Sequence, residues 1–306
     1  MKDAERSFLK VKKKYLKFIE KQEILGDPFF DKSNQLRKFY LPISESIYST
    51  FKNRKKSLII GLSGSQGSGK TTISKILKII LTTKFKLNVV CLSIDDFYKT
   101  RKQREKMSKE IHKLFLTRGV PGTHEVALLR KTFKKLTKRK FKTVKIPRFN
   151  KASDERLPIQ KWIKIKKKPD IVIFEGWCVG AKYQKKNLKK AVNILEKHED
   201  AKLKWRKKVN NELKTNYKRI FQLIDKQIFL KVPNLKYVYK WRELQEKKLR
   251  SFSKGKKTMD KKGIYRFIMH YERLTRDMIN DLSKTADMLI NIDKKHKLKN
   301  IKFNYQ

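Results

Sequence analysis

Gly64-Ser65-Gln66-Gly67-Ser68-Gly69-Lys70-Thr71 decides how the rest of the chain is read. The stretch satisfies G-x-x-x-x-G-K-[ST], the pattern of a phosphate-binding loop. Upstream, Ser57-Leu58-Ile59-Ile60-Gly61-Leu62 predicts a short buried strand. Downstream, Ile73, Ile76, Leu77, Ile80 and Leu81 recur on one helical face. Strand, glycine loop and helix in that order are the context in which the pattern acquires meaning. Glycines let the backbone wrap closely, so that successive N–H groups point at phosphate oxygens. The helix N-terminus adds partial positive charge. Lys70 is placed to reach the β- and γ-phosphates and the Thr71 hydroxyl to ligate Mg²⁺. Thr72, next in the helix, is grouped with the loop as a nucleotide-contacting residue. A nucleoside triphosphate site is expected.

Outward from the loop, short apolar strands alternate with helices. Leu87–Ile94 reads as a strand running into Asp95-Asp96-Phe97-Tyr98, and Asp170–Gly176 as a buried strand with Glu175 at its end. Residues 227–232 and 288–292 read as further strands, the latter as the last. Helices are expected over about 100–140 (interrupted at 118–124), 185–225, 237–250 and 264–283. Residues 144–149 and 162–165 can pair beside the main sheet. Such an order indicates an α/β fold of the P-loop NTPase kind, a parallel sheet with helices on both faces. Residues 1–56 read as an N-terminal helical appendage broken at Asp27-Pro28, with a second helix from Leu41-Pro42. The main domain is expected over 57–306, with a substrate-side excursion at about 100–165 and a lid region at about 233–263, its lysine-rich 252–263 stretch a mobile loop.

Composition limits the alternatives. The 306 residues are 39% hydrophobic, enough for an ordinary core, and no run approaches the length of a membrane span. Asp3, Glu5 and Glu20 interrupt the basic N-terminus, which has no apolar signal core, so a cytoplasmic protein is expected. Two cysteines, Cys91 and Cys178, suit a reducing compartment, and the five histidines show no ligand spacing. The net charge of +52 turns attention to nucleic acid. Yet lysines are spread along the whole chain, as a global bias would spread them. Nucleic acid is therefore not expected as the main partner, and oligomeric state is not legible. A general positive field also favours anionic substrates.

A bound triphosphate alone does not separate switch, motor and kinase; the acids do. Ligands of parallel sheets collect at the carboxyl ends of strands, where Asp95 and Glu175 both fall. Glu175 occupies the place of an acid that organises Mg²⁺. Asp95 is the candidate base for an acceptor hydroxyl facing the γ-phosphate, with Asp96 supporting substrate or metal. An acidic pair there also suits a helix N-cap.

Gly61-Leu62-Ser63 running into the glycine loop, Ser93–Tyr98, Arg118-Gly119-Val120-Pro121-Gly122-Thr123-His124 and Phe174–Gly180 together resemble the D-glycerate 3-kinase family. That family lies in the phosphoribulokinase, uridine kinase and pantothenate kinase group of P-loop kinases. Val238–Glu246 and Tyr271–Thr275 extend the resemblance, which runs from about Asp31 to Ile292. It implies transfer of the γ-phosphoryl group of ATP, with Mg²⁺, to D-glycerate. Asp95 is then the base, Glu175 the Mg²⁺-linked acid and Arg242 a lid arginine over the phosphates. Arg118, His124 and Arg148 fall on the substrate side. Asn150 and Glu125 stand where the family commonly has aspartate, and the first leaves the acceptor site one charge short. The alternatives are a uridine- or pantothenate-type kinase of the same fold and, outside enzymes, a nucleotide-dependent nucleic-acid-binding protein.

Overall fold

A computed structural model describes residues 2–23, 29–54, 56–252 and 259–304. The chain opens with α1 (Lys2–Glu20), then a continuous helical run of α2 (Lys32–Gln35), a π turn (Leu36–Tyr40) and α3 (Leu41–Arg54). The expected second helix thus begins nine residues before Leu41. Pro42 does not end it. It falls in the first turn of α3, and the π turn just ahead lies where its missing N–H would leave a carbonyl unpaired. The expected break at Asp27-Pro28 lies outside the described residues.

β1 (Leu58–Gly64), α4 (Lys70–Lys84) and β2 (Val89–Ser93) follow, then α5 (Arg101–Glu110) and α6 (Val126–Thr137). The excursion comprises β3 (Val144–Ile146), β4 (Phe149–Asn150), β5 (Glu155–Arg156) and β6 (Ile163–Ile165). β3 pairs antiparallel with β6, as the sequence predicts, and β4 with β5. After β7 (Ile171–Glu175) come α7 (Ile194–Glu199), α8 (Lys204–Glu212), α9 (Lys218–Phe221) and β8 (Lys226–Lys231). α10 (Leu235–Phe252), α11 (Lys261–Thr285), β9 (Met288–Ile292) and β10 (Leu298–Phe303) complete the fold. The expected loop at 252–263 is bounded by these two helices, and its residues 253–258 lie outside the described ones.

The main sheet has six strands in the order β10-β9-β8-β1-β7-β2. All neighbours are parallel except β10, which runs antiparallel to β9 at the edge. Period-2 alternation sends its residues to two cores. Leu58, Ile60, Ile171, Ile173, Ile228 and Ile290 face one, Ile59, Val172, Phe174, Phe229 and Leu289 the other. The first core takes α4 together with Val11, Tyr15 and Ile19 of α1 and Ile43 and Ile47 of α3. The second takes α6, α8 and the later turns of α11. The N-terminal helices therefore help cover one face of the sheet. Each fully buried side chain among them stabilises that packing by about 1.5–3 kcal/mol.

Two expectations fail. The stretch 185–225 is not one helix: residues 185–193 are irregular, and Asn187 and Leu203 adopt left-handed backbone. Arg206, 3% exposed, explains the departure. Its guanidinium donates to Asp200 Oδ2 (2.8 Å) and to the carbonyls of Asp200 (2.7 Å) and Leu188 (3.1 Å). Arg273 of α11 reaches the carbonyl of Asn187 (3.2 Å) and the carboxylate of Glu196 (2.6 Å). A helix would direct those carbonyls along its own axis, out of reach. Nor is β9 the last strand. β10 carries exposed Lys299 among its residues, so alternation is blurred, and its register is set by Gln35. That side chain accepts from Leu298 N and donates to Leu298 O, both at 3.0 Å.

Candidate active site

β1 delivers Gly64 to the carboxyl edge of the sheet, and the loop from Ser65 to Gly69 turns back into α4. Gly67 and Gly69 sit at φ of +76° and +85°, which L side chains rarely adopt. A Cβ at Gly67 would also come within 2.7 Å of Trp241 Cβ. Lys70 Nζ donates to Gly64 O (2.9 Å) and Ser65 O (2.7 Å). Burial lowers the pKa of its ammonium, opposed by the charges of Glu175 and Asp95. The Ser68 hydroxyl and the Gln66 side-chain amide are buried with no protein partner. Unpaired polar atoms cost free energy unless a ligand meets them, and phosphate oxygens can accept from the Ser68 hydroxyl and Gln66 Nε2. Thr72 stands half-buried as the third residue of α4.

Strand register assembles the rest. Glu175 of β7 lies opposite Leu62 of β1 and Ser93 of β2. The Thr71 hydroxyl donates to Glu175 Oε1 at 3.0 Å. Burial raises the Glu175 carboxyl, while Lys70 and the Ser93 and Thr71 hydroxyls pull it back. The Thr71 hydroxyl and Glu175 carboxylate are hard oxygen donors of the kind Mg²⁺ prefers. Among the described residues no group of three or more His, Cys, Asp or Glu could hold a metal. A cation here would complete its shell with phosphates and waters, the habit of Mg²⁺ in phosphoryl-transfer sites.

Beyond Ser93 the chain makes a 3₁₀ turn, Ile94–Phe97, carrying both aspartates. Neither caps α5; Thr100 does, in a capping box with Gln103. Asp95 Oδ1 accepts from the Tyr98 hydroxyl (2.8 Å) and Oδ2 from Lys151 Nζ (2.6 Å). Burial pushes the Asp95 carboxyl up, but Lys151, Tyr98 and His124 together hold it well below the usual carboxylate range. Asp96 is engaged by β4. It accepts from Phe149 N (3.1 Å) and Arg148 Nη1 (3.2 Å), and burial raises its pKa. Its visible work is to fasten the β4–β5 hairpin beside Asp95.

The three residues assigned to the substrate side are distributed differently. Arg118 is paired with Asp154 and donates from Nη2 to Lys151 O (3.3 Å), its guanidinium over the Phe149 ring. Arg148 pairs with Asp96 and is about half exposed. His124 is 1% exposed and sits behind Tyr98, stacked on it with ring centroids 4.6 Å apart. Its Nδ1 lies 2.6 Å from the Tyr217 hydroxyl. His124 therefore reaches Asp95 through Tyr98, as a positioning residue. Burial lowers its pKa from 6.5 to about 3. The unfolded chain binds the extra proton between those values, so stability falls as pH drops through that window. The expected loss between pH 7 and about 4.5 is roughly 2–3 kcal/mol. His124→Gln should flatten the dependence of melting temperature on pH over that range; an unchanged slope refutes the assignment.

Arg242 lies on α10, whose Trp241 packs on the glycine loop. Its guanidinium is held by Glu246 and by Gln245 Oε1 (3.2 Å), over the ring of Phe267. Several residues at the site were not anticipated. Lys151 had no motif to mark it among 81 lysines and arginines. His296 follows β9 and stacks on Trp241 at 3.9 Å, its Nε2 meeting Gly67 O. Only the sheet order brings that turn to the loop. Tyr98 follows Asp95 by three residues, a spacing at which one tight turn brings the two side chains together.

The sequence matches the Phosphoribulokinase / Uridine kinase family over residues 59–240. It is 33% identical over 225 residues to an uncharacterized kinase of Schizosaccharomyces pombe, covering 71% of this chain and 79% of that protein. It is 30% identical over 223 residues to the chloroplastic D-glycerate 3-kinase of Arabidopsis thaliana, covering 70% of this chain and 46% of the plant protein. The chain thus spans less than half the length of that second relative. Among solved structures, D-glycerate 3-kinase from Cryptococcus neoformans superposes with a TM-score of 0.69 at 22% identity, covering 87% of this chain and 99% of that one.

Proposed function

Because the chain belongs to the phosphoribulokinase and uridine kinase family and is an ATP-dependent kinase, we propose that its acceptor is D-glycerate and its product 3-phosphoglycerate. In this reading the acceptor hydroxyl oxygen bonds to the γ-phosphorus of ATP while its proton passes to Asp95. The bond from that phosphorus to the β–γ bridging oxygen breaks, and ADP leaves with the electron pair. Little covalent chemistry is asked of the protein; position and charge carry the rate. Lys70 neutralises charge on the migrating group, and Arg242 joins it if α10 brings its guanidinium off Glu246. Thr71 and Glu175 would hold Mg²⁺, which supplies further charge neutralisation when bound. The loop amides from Gly64 to Thr72 bind and orient the phosphates.

The observation that carries the proposal is the Asp95 carboxylate. It stands at a strand end beside the Thr71–Glu175 pair, oriented by Tyr98, with Lys151 at 2.6 Å and Arg118 and Arg148 nearby. Each of these cations is paired with a carboxylate, and Lys151, on the open side, is the one a small acceptor with its own negative charge suits. The likeness to D-glycerate 3-kinases favours glycerate among such acids. The test is ADP release by purified protein with ATP and Mg²⁺ against D-glycerate, uridine, pantothenate and ribulose 5-phosphate, with an acceptor-free control. Turnover on D-glycerate well above the others, with 3-phosphoglycerate as product, is expected. Preference for another acceptor, or ADP release indifferent to acceptor, refutes the substrate assignment.

A further inference from the structure

We infer that Lys151 is an acceptor-responsive latch on the base: without acceptor its ammonium occupies Asp95, and the negative group of an incoming acceptor draws it away. The inference rests on the reading of Asp95 as base. In the structure both oxygens of that carboxylate are already engaged, by Tyr98 at 2.8 Å and by Lys151 at 2.6 Å. An oxygen bound to an ammonium at that distance is a poor acceptor for a further proton. Each oxygen keeps a second lone pair, but a proton arriving there meets the charge of the ammonium, so loosening a partner makes the base stronger.

Tyr98 is not built to yield. It is 4% exposed, stacked on His124 and set edge-on to Phe149 with centroids 5.2 Å apart. Lys151 is. Its side chain is 63% exposed, so the ammonium stands in an open cleft on a flexible four-carbon stem. The lysine end of the pair is open to water while Asp95 is half-buried, so the ammonium can turn to a second anion without being desolvated. The backbone beneath it is held in place instead. Asp154 is paired with Arg118 and with the buried Arg104, the latter at 2.7 Å, and Asp96 holds Phe149 N. The hairpin is anchored while the side chain at its turn can move.

The other charged groups facing Asp95 do not offer this exchange. Lys70 is held by the loop carbonyls, Glu175 is bonded to Thr71, and His124 is buried and neutral. Arg118 and Arg148 are committed to Asp154 and Asp96. Lys151 is thus the cation whose partner is the base itself. The consequence is chemical economy. With ATP bound and no acceptor, a free Asp95 would take a proton from water as its oxygen bonded to the γ-phosphorus, releasing ADP and phosphate. The latch suppresses that reaction. It also favours acceptors whose negative charge lies close to the reacting hydroxyl.

The test uses full-length Lys151→Met and Lys151→Arg, assayed for ADP release with ATP alone, with D-glycerate and with uncharged glycerol. In Lys151→Met, acceptor-free ADP release is expected to rise about fivefold and KM for D-glycerate about tenfold. KM for ATP and turnover on glycerol should not fall. Lys151→Arg, which keeps the charge, should stay near wild type. Lys151→Gln repeats the measurement with a polar neutral residue should the methionine variant lose thermal stability. Acceptor-free release that is unchanged or lower in folded Lys151→Met or Lys151→Gln overturns the inference, whatever the acceptor proves to be. Wild-type silence toward D-glycerate with turnover on another acceptor overturns only the substrate assignment.

Discussion

Lys70→Ala is expected to lower kcat by about a thousandfold, the upper range for removing one preorganised charge from a transition state. The ammonium sits inside the loop, 2.9 Å from Gly64 O and 2.7 Å from Ser65 O, with Glu175 and Asp95 within electrostatic reach. In a phosphoryl transfer, charge spreads over the migrating group and the leaving oxygen, and a fixed cation there is worth more than in water. The same burial that lowers its pKa makes its removal mild for the fold. Two hydrogen bonds are lost, but a desolvated charge goes with them. Melting temperature should shift by only a few degrees while turnover collapses. Parallel steady-state kinetics and thermal unfolding check both halves, and near-wild-type turnover excludes the lysine from the transfer step.

Asp95→Asn should lower kcat by about a hundredfold to ten-thousandfold, the range for losing a positioned general base. The substitution preserves shape and leaves an oxygen to accept from Tyr98, so the 3₁₀ turn is expected to persist. What disappears is the ability to take a proton, together with the attraction for Lys151. KM for ATP should change little, because the phosphates are held by the loop. Since Lys151 and Tyr98 hold the wild-type carboxyl well below the usual range against the push of burial, the base is ionised in the acceptor-free protein. Once an acceptor draws Lys151 away, burial acts on that carboxyl with less opposition, so activity lost on the acid side is expected to include protonation of Asp95. Phosphorylation by Asp95→Asn at the wild-type rate would remove the base assignment altogether.

Much of the site could be read without coordinates because its parts lie in short contiguous strings. The glycine loop, the acid closing β7 and the acidic pair after β2 each sit at a strand end, and parallel strands bring their carboxyl ends to one edge. Apolar runs such as Ile171–Phe174 declare a strand buried on both faces. Such signals are local, so the residues themselves carry them. The irregular stretch 185–193 and β10 carry no such local signal. Their backbones answer to Arg206, Arg273 and Gln35, which lie far away in the chain or on other elements.

The nucleotide-binding loop, the alternating α/β order and a pair of carboxylates at neighbouring strand ends are written in the order of residues alone. These follow from backbone geometry and from the period of apolar residues, which need no distant partner. What each side chain meets depends on the folded chain: His124 behind Tyr98, Asp96 fastening a hairpin, His296 over the loop and Lys151 on the base. Charge pairing and stacking join residues tens to hundreds of positions apart. In a chain so rich in lysine, no local pattern distinguishes the one beside Asp95 from the many that face water.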